Sequence, residues 1–174
     1  MLKQANPATT RRDHHALATA YHVLVGLFGW GVLLYLAFTS HTLPNWLDVA
    51  AFALLSIGVK SLGFRVVRNV THSLVGIVDL AALFSLGLLG GAVVTFVSST
   101  VCRLVNTEHG PSWGFPNRWE PVVFVGGLNV LTLAAAGWLY ESTGGAVPLA
   151  IASWRGLWPV LAASATHFAL DHVF

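Results

Sequence analysis

Charge is what this sequence has least of. Only 9% of its 174 residues are Asp, Glu, Lys or Arg, where a water-soluble domain carries about a quarter. With 55% hydrophobic residues and a mean hydropathy of +0.70, it lacks the polar surface that would dissolve several apolar helices at once, so the soluble class is set aside. Cysteine is almost absent. The single Cys102 cannot close an internal disulfide and carries no information about redox compartment. In an apolar stretch it reads as packing rather than as a nucleophile. The net charge of +2 is small and its basic residues are scattered, which excludes a nucleic-acid stripe and a basic surface helix. HExxH, GxSxG, CxxC and P-loop patterns are all missing. The expectation is a protein with no catalytic activity of its own and no cofactor.

What is present is a succession of long apolar runs. Residues 16–38 carry no charge and are long enough to cross a hydrocarbon core of about 30 Å. Lys3, Arg11 and Arg12 precede them like the n-region of a signal peptide. The run is too long for an h-region and no convincing cleavage site follows, so it reads as a retained first span. A second span covers about 49–64, with Lys60 near its end where the stem can snorkel to the headgroups. The run from Leu74 onward is too long for one untilted helix, and Gly87, Gly90 and Gly91 punctuate it. It divides into two short helices, 74–88 and 92–105, joined by a tight turn at Gly90–Gly91; one strongly tilted helix is the competing reading. Residues 106–121, rich in Pro, Gly and Trp, form a loop with interfacial anchors. Spans at about 122–140 and 149–174 complete an all-α, polytopic bundle of about six segments. The whole chain is one membrane domain behind a short cytoplasmic segment, 1–15.

Charge segregation sets the orientation. With six spans, Lys3, Arg11, Arg12, Lys60, Arg65, Arg68, Arg103 and Arg118 gather on one side and Arg155 alone on the other. The positive-inside rule then places both termini in the cytoplasm. The membrane is expected to be the bacterial inner membrane. The sequence stops at HFALDHVF with no polar tail, as a chain continuing into a further module would look if cut there.

Ionisable residues at membrane depth are functional candidates. Asp79 lies inside the third segment, as a residue near the headgroups, an ion-pair partner or a ligand contact. His167 and Asp171 are spaced i, i+4 on the last helix, where a carboxylate can fix an imidazole for a ligand or a proton relay. Asn129 sits mid-helix and can hydrogen-bond across the bundle or read a ligand. His167, Asp171, Asp79 and Asn129 are the candidate ligand-binding set, with no metal site. His22 and His72 are the histidines a b-type haem would use, though nothing in the sequence pairs them. Gly26, Gly29 and Gly126–Gly127 offer close helix approach without a repeated GxxxG spacing.

The run LGFRVVRNVTHSLVGIVDLAALFSLGLLGGAVVTFVSSTVCRL (62–104) resembles the core of membrane input domains that precede GGDEF, HD-GYP or histidine-kinase modules in bacterial signalling proteins. The following FVGGLNVLTLAAAGWLYESTGG (124–145) is similar to that family's Asn-bearing helix, which ends in a tyrosine and a Gly-Gly turn. Gly90–Gly91 stand where the family has a proline. The layout also resembles the substrate-binding subunits of energy-coupling-factor vitamin transporters. The resemblance implies a membrane-embedded ligand-binding or signal-input domain. Its partners would be the bilayer and either other membrane chains or a fused cytoplasmic module, with no nucleic acid. An accessory subunit of a larger membrane complex is the alternative, and a haem-binding electron-transfer subunit a third.

Overall fold

The computed structural model describes residues 7–40, 43–66, 71–106, 119–149 and 154–173. They form five helices and, among the described residues, no strand: α1 (Pro7–Thr39), α2 (Trp46–Val66), α3 (Thr71–Asn106), α4 (Trp119–Ser142) and α5 (Trp154–Val173). Three stretches are long and apolar enough to cross a membrane: Leu17–Thr39, Gly76–Val105 and Pro121–Ser142. The expected count of six is therefore not met by length and apolarity. α2 carries Asp48, Lys60 and Arg65 within 21 residues, and α5 has only 20, with Arg155 and Asp171 among them. The first helix also starts earlier than its apolar run, at Pro7, because proline's fixed φ suits the first helical turn.

The ends are capped by the residue types such positions favour. Asn45 accepts from the Leu47 amide through Oδ1 (3.2 Å) and from the Val49 amide through its carbonyl (3.1 Å), opening α2. At the end of α4, Gly144 takes φ +89° and the Gly145 amide donates back to the Tyr140 carbonyl (2.9 Å), the glycine stop expected of a helix C-terminus.

α3 departs most from a straight rod. Gly87 has φ +79°, ψ −179° within it. A straight helix would hold Asp79 and Ser98 about 28 Å apart, yet Lys60 Nζ reaches both, at 3.4 Å and 2.7 Å. A Cβ on Gly91 would lie 2.8 Å from Leu83 Cα. The chain therefore folds back at Gly87, and α3 is a hairpin of two arms, 71–86 and 88–106. The expectation of a tight turn in this run had the wrong residues. The reversal needs positive φ, which Gly87 supplies. Gly90 and Gly91 are helical instead, and Gly91 serves by letting the second arm approach the backbone of the first. The Phe84 carbonyl near the turn is taken by the Leu149 amide (3.0 Å).

Three connections meet at this end. Val147 Cγ1 lies beside Gly87, Pro44 Cβ beside Gly90, and Leu149 reaches Phe84. The segments thus run alternately up and down. α1 packs on α4, α4 on α3 and α5, and α3 on α2. Leu80, Leu83, Phe84, Leu133, Ala136, Tyr140 and Ala163 form the main core, with the Phe84 and Tyr140 rings 4.9 Å apart. α1 meets α4 backbone to backbone: Cβ atoms on Gly29 and Gly127 would collide with the opposing main chain. Its other face is exposed, with Leu24, Phe28, Tyr35 and Phe38 outward.

Candidate functional site

The buried polar residues converge on one another. Ser56 and Lys60 lie one turn apart on α2, and Ser98 and Ser99 on the second arm of α3. Asp79 lies on the first arm, and all five are buried. Lys60 Nζ donates to Asp79 Oδ2 (3.4 Å), Ser98 Oγ (2.7 Å) and Ser99 Oγ (3.0 Å). Asp79 Oδ1 accepts from Ser56 Oγ (3.0 Å), and Ser99 Oγ also accepts from Asn129 Nδ2 on α4 (2.8 Å). One charge pair thus binds together α2, both arms of α3, and α4.

Lys60 does not snorkel. It is 7% exposed and sits about 9 Å short of the end of α2 at the helical rise. An oppositely charged carboxylate and two hydroxyls in reach hold it inside, replacing the water it would find at the headgroups. In a low dielectric such a pair is tolerated only when its remaining donors and acceptors are also satisfied. Here all three ammonium hydrogens have acceptors.

Of the four residues singled out from sequence, Asp79 and Asn129 belong to this network, linked through Lys60 and Ser99. His167 is buried beside it rather than in it. Its Nε2 would lie 3.3 Å from a Cβ on Gly76, one turn before Asp79, and it is within electrostatic range of Asp171, Asp79 and Lys60. Its Nδ1 is buried with no hydrogen-bond partner, so that nitrogen is not held by Asp171. Asp171 is half-buried near the end of α5. His22 packs on Phe124 of α4, ring centroids 4.6 Å apart; the side chain of His72 lies outside the described residues.

Ser56, Lys60, Ser98 and Ser99 were not read from sequence as site residues, although a signal existed. Ser56/Lys60 and Thr95/Ser98/Ser99/Cys102 recur at helical i, i+3, i+4 and i+7 spacing, so each set lines one face. The Thr95 carbonyl accepts from Ser98 Oγ (3.2 Å), while the Thr95 hydroxyl, Oγ1, is buried and unpartnered. Cys102 points its sulfur at the Ile57 carbonyl (3.8 Å), a packing role. Among the described residues no group of three His, Cys, Asp or Glu side chains could hold a metal. The arrangement offers a fixed charge pair, hydroxyl acceptors and an amide donor. No family model, curated protein or solved structure matches the chain.

Proposed function

We propose that this protein is a membrane-embedded ligand-binding or signal-input domain without catalytic activity of its own. It would cross the bacterial inner membrane six times with both termini cytoplasmic. The observation that carries this reading is the Lys60–Asp79 pair, buried between α2, the two arms of α3 and α4. Ionisable residues inside a bundle mark ligand or ion pathways more often than mere packing, because hydrophobic residues pack there at less cost. A network tying three helices is also a device through which an event at one helix changes the positions of the others.

The six-crossing topology counts α3 as two crossings. Its arms, 71–86 and 88–106, are about 24 and 28 Å long at the helical rise, close to the hydrocarbon thickness. Among the described residues Arg11, Arg12, Arg65 and Arg103 belong to helix ends opposite Gly87, and Arg155 to the Gly87 end. That asymmetry supports a cytoplasmic assignment for the former.

The second reading, an accessory subunit, draws on the exposed apolar face of α1, which a neighbouring chain could cover as well as lipid. Native mass spectrometry of the chain purified from bacterial membranes separates the two. Retention of a small ligand, lost on Asp79→Asn, is expected. Recovery in fixed stoichiometry with other membrane chains, and with no ligand, would overturn the input-domain reading in favour of the subunit.

A further inference from the structure

We infer that the cradle around Lys60 is a binding site for a small, singly charged cation, with the Lys60 ammonium as its tethered occupant. The inference deepens the ligand-binding reading above and rests on it. Its basis is the balance of donors and acceptors in the cluster. Lys60 Nζ is met by Asp79 Oδ2, Ser98 Oγ and Ser99 Oγ, which uses all three of its hydrogens. An anionic ligand arriving here would find no free ammonium donor and would have to displace Asp79.

A cation finds the opposite. Asp79 on the first arm of the hairpin supplies a full negative charge, and Ser98 and Ser99 on the second arm supply hydroxyl oxygens. Thr95 lies one turn before Ser98 and Ser99 on the same helical face. It is fully buried and its Oγ1 has no partner. A buried hydroxyl without a partner at such a site calls for an explanation, and an additional cation ligand is one. Hard monovalent cations and primary ammonium groups are both bound by carboxylate and hydroxyl oxygens of this kind.

Occupation by Lys60 keeps the site neutral when empty of ligand. The four-carbon stem allows the ammonium to leave toward the near end of α2, about 9 Å away at the helical rise. An arriving cation then replaces one positive charge by another beside Asp79. The exchange makes or breaks the Lys60 link between α2 and the α3 hairpin while the Ser56–Asp79 and Asn129–Ser99 hydrogen bonds persist, so ligand occupancy becomes a change in how α2 is held against the hairpin.

The test uses the full chain in detergent or nanodiscs. Thermal unfolding is followed while NaCl or methylammonium chloride is exchanged for choline chloride at constant ionic strength. Three proteins are compared: the native chain, Lys60→Met and Lys60→Met/Asp79→Asn. Binding to the native state alone raises Tm in a saturable way. The expected result is a rise of several degrees for Lys60→Met, a smaller rise at higher concentration for the native chain, and none for the double variant. A response to sodium alone identifies a metal-cation site, and a response to methylammonium alone an amine site. The double variant removes both charges and guards against failure to fold. Flat titrations in the native chain and in Lys60→Met, or an equal rise in the double variant, would overturn the cation site. If Lys60→Met does not fold, the native chain against the double variant decides. A small ligand retained in mass spectrometry alongside flat titrations would leave the input-domain reading standing and remove only this ligand class.

Discussion

Among the described residues the negative charge of Asp79 is neutralised directly by one group, the ammonium of Lys60 at 3.4 Å, and both are buried. Removing one member of such a pair strands the other, at a cost of about 3–5 kcal/mol. Asp79→Asn is therefore expected to destabilise the protein by that amount in detergent unfolding. Asn129→Leu breaks only its bond to Ser99 and should cost about 1 kcal/mol, the usual scale of a polar contact between membrane helices. Equal losses for the two would mean that the ion pair contributes no more than an ordinary hydrogen bond. Asp79 and Asn129 were legible from sequence because each is a lone polar residue in an apolar run. Lys60 was misplaced for a physical reason. A lysine six residues from a helix end can reach the headgroups, and what keeps it inside, the two serines and Asp79, arrives from a hairpin whose turn had to be located first.

Glycines decide how the helices meet, but not all for one reason. Gly87 combines positive φ with an extended ψ, a conformation essentially reserved for glycine, so Gly87→Ala strains the reversal by about 1–3 kcal/mol. Gly29 lies against the Gly127 main chain, whereas Gly31 has nothing within 4 Å. Gly29→Ala is expected to lower the unfolding temperature by separating α1 from α4. Gly31→Ala should be neutral or mildly stabilising, given a helical glycine-to-alanine gain of about 1 kcal/mol. Comparable Tm losses for Gly29→Ala and Gly31→Ala would show that the close approach of α1 and α4 is unimportant. These roles explain what sequence could and could not give. A cluster of glycines in an overlong apolar run announces a reversal. It does not say which glycine turns the chain and which ones merely admit the opposing backbone, because that depends on the register of the two arms. The i, i+3 pair Gly26/Gly29 likewise acquires meaning only once Gly127 is opposite it.

At the scale of the molecule the question is whether the hairpin crosses the bilayer twice. The Gly87 turn meets the α1–α2 and α4–α5 connections at one end, so both ends of α3 lie at the other, with the start of α1. The overall helical class was legible because it depends on composition and run length. The number of crossings was not settled by the same measure, because charges in α2 and α5 lower their apolarity while packing buries some of those charges. Labelling distinguishes the possibilities. In a Cys102→Ser background, single cysteines at Ser40 and Thr143 report the Gly87 end, while Ala8 and Val105 report the opposite end. If α3 is inserted as a hairpin, an impermeant maleimide added to spheroplasts labels Ser40→Cys and Thr143→Cys at once, and Ala8→Cys and Val105→Cys only after lysis. Val105 is 67% exposed, so a lack of labelling before lysis reflects its side of the membrane rather than burial in the bundle. Labelling of Val105→Cys from outside with Ala8→Cys protected would mean that the two arms open in the membrane into a single crossing. The Lys60 link between Asp79 and Ser98 could not then exist there, and the polar network and the cation site would fall together.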